Sequence, residues 1–126
     1  MRNIIVEKVN TLPIEQQQIE IIERKCSGHP DTICDAICEA VSRNLSHEYK
    51  KKFGMVMHHN VDKALLVGGS SQPAFGGGKV TKKIKIIVSG RATAKAGNKK
   101  VDIKKIVESS AKSYLSQFHA LKESQY

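Results

Sequence analysis

Aromatic residues are scarce in this chain of 126 residues, which has no tryptophan, three phenylalanines and three tyrosines. The core must therefore be built mainly from isoleucine, valine, leucine and alanine. The sequence also lacks a run of about 18 apolar residues, the length that crosses a bilayer, and we recognise no secretory leader in it. We therefore expect a cytoplasmic protein with a packed core, because a chain of this length buries roughly two thirds of its unfolded surface.

Cysteine is rare as well, and the spacing of the three cysteines does not suggest a disulfide framework. Cys26, Cys34 and Cys38 are an odd set without a CxxC pair. Cys34 and Cys38 lie four residues apart in a predicted helix, on the face that carries Val41 and Leu45. We interpret them as small buried thiols in a reducing compartment, and metal ligation is the alternative.

Acidic residues are outnumbered, with 12 Asp and Glu against 21 Lys and Arg, so the formal net charge is +9. Such a charge suits a nucleic-acid partner, an anionic substrate, or a surface that faces an acidic protein. The lysines at positions 50–52 and 82–85 have few aromatic residues near them that could stack on bases. A solvated basic surface is therefore favoured over nucleic-acid binding.

The longest predicted element is a helix that begins at Pro30 and ends near Lys52. Proline suits the first helical position, and Gly54 is a natural stop. A second amphipathic helix is predicted after Asp102, which is suited to cap its start. Apolar residues recur at helical spacing in both helices, at Ile33, Ile37, Val41 and Leu45 in the first and at Ile103, Ile106, Val107, Ala111, Tyr114, Leu115 and Phe118 in the second.

Strands are predicted over residues 1–7, 16–25, 55–59, 64–68 and 80–88. The third and fourth are expected to form a hairpin, and the glycine-rich stretch at residues 70–79 is expected to be a loop. This order predicts an α+β fold of about four mostly antiparallel strands with two helices on one face. The other sheet face would then be available for a dimer or for another domain.

The stretch before the first helix carries the chemistry of a phosphate site. A helix N-terminus presents free N–H groups and partial positive charge, which favour an anion. Asp31 could hold a hard cation such as Mg²⁺, and His29 could contact the reacting anion. Gly28 would allow the backbone to bend and to be approached closely. Taken alone, His29 is better explained as a helix-entry residue. Asp35 is equally well explained as an acid that complements the helix dipole, and Asp31 less well.

Several motifs in series resemble one known family. The stretch ERKCSGHPDTICDAICEAVSR, the start MRNIIVE, the segment FGMVMHHNVDKALLVGGSSQPAFGGG and the strand ending IIVSGRAT resemble archaeal-type S-adenosylmethionine synthetase. The resemblance implies that this chain is a single domain, residues 1–126, similar to the first of three domains of that enzyme. The tail at 117–126 is the exception, because it does not resemble the family's next segment.

The resemblance implies an enzyme that converts ATP, methionine and water to S-adenosylmethionine, phosphate and diphosphate, with Mg²⁺ as cofactor and room for K⁺. By position in the motif, His29 contacts the phosphate chain near the leaving oxygen, and Asp31 binds Mg²⁺. Glu23 lies at the nucleotide and cation site, and Asp35 has a supporting role. Asp62 corresponds to an acidic position on the methionine side of a site shared between subunits of a homodimer.

The residue types at these positions suit the implied reaction. A triphosphate leaving group gains negative charge, which Mg²⁺ and an imidazolium would stabilise. The chain departs from the family pattern at Lys63 and Lys79, where acidic residues are usual, and at Cys26-Ser27. The family's later glycine-rich and acidic motifs are absent from these 126 residues. We therefore expect the isolated chain to be inactive. The alternatives are a stand-alone dimerising or regulatory protein and, less favoured, a basic nucleic-acid-binding module.

Overall fold

A computed structural model of the protein describes residues 3–119 and residue 121. Two α-helices and six short strands follow a long N-terminal stretch that holds one 3-10 turn, Ile14–Gln16. In chain order the elements are α1 (Pro30–Phe53), β1 (His59–Val67), β2 (Ser70–Ala74), β3 (Gly77–Lys82), β4 (Lys85–Ala92), β5 (Lys95–Ala96), β6 (Lys99–Lys100) and α2 (Ile103–Leu115).

Helix α1 begins and ends where its sequence predicts. Pro30 occupies the first turn, and His29 caps the helix start through its side chain. Gly54 ends the helix in the left-handed region, with φ of 78°, a conformation that glycine adopts without steric penalty. One stripe of the helix is buried and forms most of the core, comprising Ile33, Cys34, Ile37, Val41, Leu45 and Tyr49.

Strands β1 and β4 form an antiparallel pair that supplies the second layer. Leu66 and Ile86 lie opposite each other and pack on the core of α1. The neighbouring pair, Leu65 and Ile87, points to the other face and stays 57% and 43% exposed. The alternation therefore produces one covered face and one open apolar face, as expected for strands whose side chains alternate.

Helix α2 completes the layer on the same side of the sheet as α1. The Asn44 side-chain amide donates to the hydroxyl of Ser110 at 2.9 Å and joins the two helices. Leu115 is buried in the same core, and Asp102 caps the helix start by accepting from the Lys105 amide at 3.0 Å. The predicted α+β fold with two helices on one side is therefore confirmed.

The path of the chain between α1 and β4 differs from the prediction in three places. The hairpin expected from residues 55–59 and 64–68 is wrong, because residues 59–67 run as one strand against β4. The loop expected at residues 70–79 is also wrong, since β2 and β3 form a hairpin whose turn uses Gly76 at φ of 75°. The strand expected over residues 80–88 breaks between Lys82 and Lys85, where the hairpin gives way to β4.

The two N-terminal strands expected at residues 1–7 and 16–25 are absent from the described part of the chain, which begins at residue 3. Their large apolar side chains are exposed, with Val6 at 90% and Ile21 at 93%. An alternating segment becomes a strand only when a sheet edge accepts its backbone hydrogen bonds, and no described strand pairs with these residues.

Within the described residues, neither helix is long and apolar enough to cross a membrane. The tail that departs from the family pattern is described only at residues 117–119 and 121. There Phe118 packs its ring edge-on against Tyr114, with ring centres 5.6 Å apart. Residue 120 and residues 122–126 lie outside the described part.

We expect Tyr49→Phe to lower the free energy of unfolding by about 1 kcal/mol, the usual net contribution of one internal hydrogen bond. The buried Tyr49 hydroxyl donates to the Thr93 carbonyl at 2.9 Å and joins α1 to the end of β4. Urea denaturation measures the loss. Tyr114→Phe is the matched control, because among the described residues the Tyr114 hydroxyl has no hydrogen-bond partner. Equal losses in both variants would contradict this role of the bond.

Candidate functional site

The site residues gather around a tight turn and the first turn of α1. The His29 amide donates to the Cys26 carbonyl at 3.0 Å, which closes the turn before the helix. The Ile33 amide then donates to the His29 carbonyl at 3.0 Å as the first helical bond. Backbone amides in the first turn of a helix have no intrahelical acceptor. Proline lacks an N–H and the Asp31 amide donates to the His29 ring, so the Thr32 amide is the one free donor that this turn presents with its partial positive charge.

The ring of His29 has a defined orientation because its Nδ1 accepts a hydrogen bond from the Asp31 amide at 3.2 Å. A ring nitrogen that accepts carries no proton, so the proton of the neutral imidazole lies on Nε2. The Asp31 Oδ2 atom is farther from Nδ1, at 3.9 Å, and the amide contact therefore decides the tautomer. With Nδ1 engaged in this way, Nε2 is the ring nitrogen that remains to donate to a ligand.

Asp31 is paired with a residue that the sequence did not single out. The Lys25 ammonium donates to Asp31 Oδ2, and the two side chains are 53% and 59% exposed. The hydrogen bond and charge of Lys25 lower the pKa of the Asp31 carboxyl below its ordinary value. The same bond and the Asp31 charge raise the pKa of Lys25, and Asp35 adds to this effect. Lysine, histidine and carboxylate therefore form one charged cluster at the helix start.

Glu23 and Asp35 lie near this cluster in sequence but do not join it by direct contact. Glu23 is exposed on the stretch that leads to the turn, and its carboxylate has no hydrogen bond or ion pair with another described residue. Asp35 follows Asp31 by four residues in α1, so the two carboxylates lie on the same helix face. Asp35 acts on Lys25 through its charge.

Asp62 lies elsewhere on the domain. It is the unpaired residue of a β-bulge in β1, because Val61 opposes Gly90 and Lys63 opposes Ser89. The contacts of α1 with β1 run from Cys34 beside the Leu66 backbone to Ser42 bonded to His59. Leu66 is thus the residue of β1 that lies beside the first turns of α1. Asp62 precedes it by four residues, which is about 13 Å along the strand at about 3.3 Å per residue. The structure does not bring Asp62 to the His29 cluster.

Gly28 does not serve the turn in the way its sequence suggests. Its φ is not in the left-handed region, and a Cβ atom placed on it would meet nothing within 4 Å. The backbone therefore does not require glycine here for its own conformation. What the residue leaves is open space beside the helix start, where another group can approach the backbone closely.

The β2–β3 hairpin rises from the same end of the layer as the helix start. Its strands are exposed along their whole length and carry Lys79 and Lys82. Because β1 runs toward the start of α1, the chain leaves β1 at Val67 near that end and enters the hairpin at Ser70. The basic hairpin and the charged cluster therefore share one end of the domain, which the sequence alone did not reveal.

A separate pocket of about 130 Å³ lies between the helices and the sheet, and Val41, Val61, Val88, Ile103 and Val107 are among its lining residues. None of the five predicted site residues lines it. Its walls combine these apolar side chains with Asn60, Ser89 and Arg91, and it is distinct from the charged cluster at the start of α1.

The fold and the cluster together define a class, namely an α+β domain with an exposed, positively polarised helix start and an adjacent carboxylate. Residues 2–125 match the family described as S-adenosylmethionine synthetase (AdoMet synthetase). The chain therefore belongs to the S-adenosylmethionine synthetase family. The match includes most of the tail that departs from the family motifs.

Three curated relatives, each named S-adenosylmethionine synthase, are similar to the chain over nearly its whole length. The protein of Methanothermobacter marburgensis is 50% identical over 115 residues, covering 91% of this chain and 29% of the relative. The protein of Methanothermobacter thermautotrophicus is 49% identical and covers 93% of this chain and 29% of the relative. That of Methanospirillum hungatei is 48% identical and covers 90% of this chain and 28% of the relative. The chain thus spans less than a third of these relatives, and corresponds to an N-terminal part of the synthetase.

We expect Lys25→Met to raise the pKa of Asp31 toward its ordinary value, because the hydrogen bond and positive charge of Lys25 now depress it. A carboxyl with a depressed pKa stabilises the fold above its unfolded pKa of about 3.9, and this contribution is lost as the pH falls through the folded pKa. Carbon-13 NMR of the carboxyl signals measures the pKa directly. Lys79→Met removes one charge from exposed strand β3 and serves as the control. An unchanged Asp31 pKa in Lys25→Met would contradict the pairing.

Proposed function

We propose that this chain is the domain of S-adenosylmethionine synthetase that holds the triphosphate of ATP and its Mg²⁺, and that it resembles the first of three domains. The observation that carries the proposal is the start of α1. There His29 is oriented to donate from Nε2, beside the Asp31 carboxylate and the free amide of Thr32. Family membership supports the same assignment.

The residues fit a magnesium ion that arrives with a triphosphate. Among the described residues there is no group of three or more His, Cys, Asp and Glu side chains that could hold a metal by itself. Magnesium does not need such a cage, since it is usually bound by one or two carboxylates together with substrate phosphates and waters. Asp31 would supply the carboxylate, and the family resemblance adds Glu23, which lies exposed on the stretch before the turn. The bound ion would offset the negative charge of the triphosphate.

The proposed reaction is attack of the methionine sulfur on the ribose 5′ carbon of ATP, with the whole triphosphate leaving. Negative charge grows on the leaving oxygen as the carbon–oxygen bond breaks. A donor placed at that oxygen lowers the barrier because its bond strengthens as the charge grows. His29 would donate there from Nε2, and the Thr32 amide with the partial positive charge of the helix start would hold another phosphate oxygen. The mechanism needs no covalent nucleophile.

The isolated chain would supply only part of this reaction. It spans about 29% of the relatives that it matches, and Asp62, proposed for the methionine side, lies apart from His29. An exposed Glu23 and an open helix start do not exclude water from a reacting centre. We therefore propose that the remainder of the synthetase and a second subunit complete the site. The three free thiols suit a reducing cytoplasm.

We expect the chain to bind inorganic tripolyphosphate with Mg²⁺ in isothermal titration calorimetry. His29→Ala and Asp31→Asn should each weaken binding about tenfold, the loss expected from one charge-assisted hydrogen bond. Asp35→Asn is the control on the same helix face, and its effect should be smaller. Full binding in both of the first two variants would place the anion elsewhere on the basic surface.

With ATP, methionine and Mg²⁺, the purified chain should form no S-adenosylmethionine. Formation at ordinary enzyme rates would show that these residues complete a site without further domains. Binding of random-sequence DNA with a steep salt dependence would instead support the nucleic-acid alternative.

A second candidate role, as a dimerising or regulatory protein, is favoured by the apolar surface that the chain leaves uncovered. Leu65 and Ile87 form an open sheet face, and the stretch at residues 4–22 exposes nine large apolar side chains. Exposed apolar surface of this kind usually marks a contact with more protein. The occupant would be a second copy or the remainder of the synthetase.

In sedimentation velocity we expect the chain to form a dimer at high concentration and Ile87→Lys to shift it to monomer, because the charge would be buried at the contact. Ile21→Lys tests the N-terminal stretch in the same way, and Lys79→Met is the control that removes a charge without adding one. A wild-type chain that stays monomeric would contradict this role.

A further inference from the structure

We propose that Lys25 exchanges partners at this site. Its ammonium holds the Asp31 carboxylate before ligands bind, and it turns to the triphosphate when a divalent cation takes that carboxylate. This inference rests on the proposed function, and it adds Lys25 as a residue that has one partner before ligands bind and another afterwards. No other lysine or arginine in the described chain is ion-paired with a residue of the predicted site.

The first step of the argument is competition for Asp31. The Lys25 ammonium donates to Asp31 Oδ2, and Asp31 is the carboxylate that would bind the metal. A lysine ammonium and a divalent cation on the same carboxylate repel each other, because both are positive and lie only a few ångströms apart. A cation that takes Asp31 must therefore displace Lys25 from it.

The second step is that the displacement is easy. Both side chains are more than half exposed, and exposed ion pairs of this kind are weak. Lysine also has a flexible four-carbon stem. The stretch that carries Lys25 precedes the turn and has no helix or strand of its own. The ammonium can therefore leave Asp31 without breaking any packed element.

The third step is the new partner of the ammonium. Lys25 leaves Asp31 within reach of the same helix start, where the His29 side chain is 40% exposed and the Thr32 amide is free. Lysine binds phosphate as a compact charge with three donors. In the resting chain, Asp31 is the only described carboxylate in contact with Lys25. A triphosphate bound at the helix start would offer the ammonium several negative oxygens as new partners. The ammonium thus becomes a phosphate-binding residue.

The exchange has a measurable consequence for the two ligands. In the resting chain Lys25 competes with a lone metal ion, so the ion binds weakly without triphosphate. With triphosphate present, Lys25 gains a new partner and ceases to compete. Removing Lys25 should therefore strengthen the binding of metal alone and weaken the binding of triphosphate with metal.

The experiment measures Mn²⁺ alone by electron paramagnetic resonance and tripolyphosphate with Mg²⁺ by calorimetry. In Lys25→Met we expect Mn²⁺ to bind about threefold tighter, the scale of a lost exposed ion pair. Tripolyphosphate should bind about tenfold more weakly, the scale of a lost charge-assisted hydrogen bond. Lys25→Arg should recover most of the triphosphate binding, since it keeps the charge. Lys79→Met removes the same charge from an exposed strand and should change both affinities less.

The exchange is overturned if Lys25→Met behaves like Lys79→Met, or if it weakens both ligands. It is separable from the proposed function. Wild-type binding that is lost in Asp31→Asn but unchanged in Lys25→Met would keep the function and reject the exchange. If the wild type does not bind tripolyphosphate with Mg²⁺, both are rejected. Lys25 and Asp31 form an exposed and therefore weak pair, so thermal unfolding of the Lys25 variants should stay close to that of the wild type.

Discussion

The packing of α1 against the β1–β4 pair is the contact on which the rest of the structure depends. A single buried stripe of the helix, from Ile33 to Tyr49, supplies most of the core. Two polar contacts fix how the helix lies on the strands: the Ser42 hydroxyl and His59 Nε2 at 3.0 Å, and the Tyr49 hydroxyl on the Thr93 carbonyl at 2.9 Å. Because the helix cannot slide along the strands, its start is held at the end of the layer where the β2–β3 hairpin leaves. The location of the charged cluster follows from this packing.

The charge balance at the helix start follows from its position at the edge of the core. The buried stripe begins at Ile33, so His29 and Asp31 lie just outside the core and keep contact with water. The helix dipole stabilises the carboxylate of Asp31, and Lys25 neutralises its charge. Exposure keeps these interactions weak and therefore exchangeable. A site proposed to bind a highly charged anion and a cation, and later to release them, is served by interactions of this strength.

The uncovered apolar surface reflects the small size of the layer. Two paired strands and two helices bury one sheet face, and within residues 3–119 there is no third layer for Leu65, Ile87 or the residues at 4–22. These side chains form strands or interfaces only if another sheet edge or surface accepts them, because unpaired backbone groups are costly to bury. The chain spans about 29% of the relatives that it matches, and the exposed surface is of the kind that further protein covers.

Local chemistry in the sequence was sufficient to determine both helices, their caps at Asp102 and Gly54, and the motif residues His29 and Asp31. Each of these depends on neighbours within one or two turns of the chain. Tertiary structure alone decided which alternating segments became strands, since residues 16–25 found no partner edge and residues 59–67 found one. It also placed Asp62 on a bulge away from His29, and it brought Lys25 onto Asp31 across the turn. Strand pairing joins segments that are far apart in the sequence, and the Lys25–Asp31 pair joins residues across a turn. The sequence did not reveal these partners, because the energy of each pair comes from a group that the fold brings close.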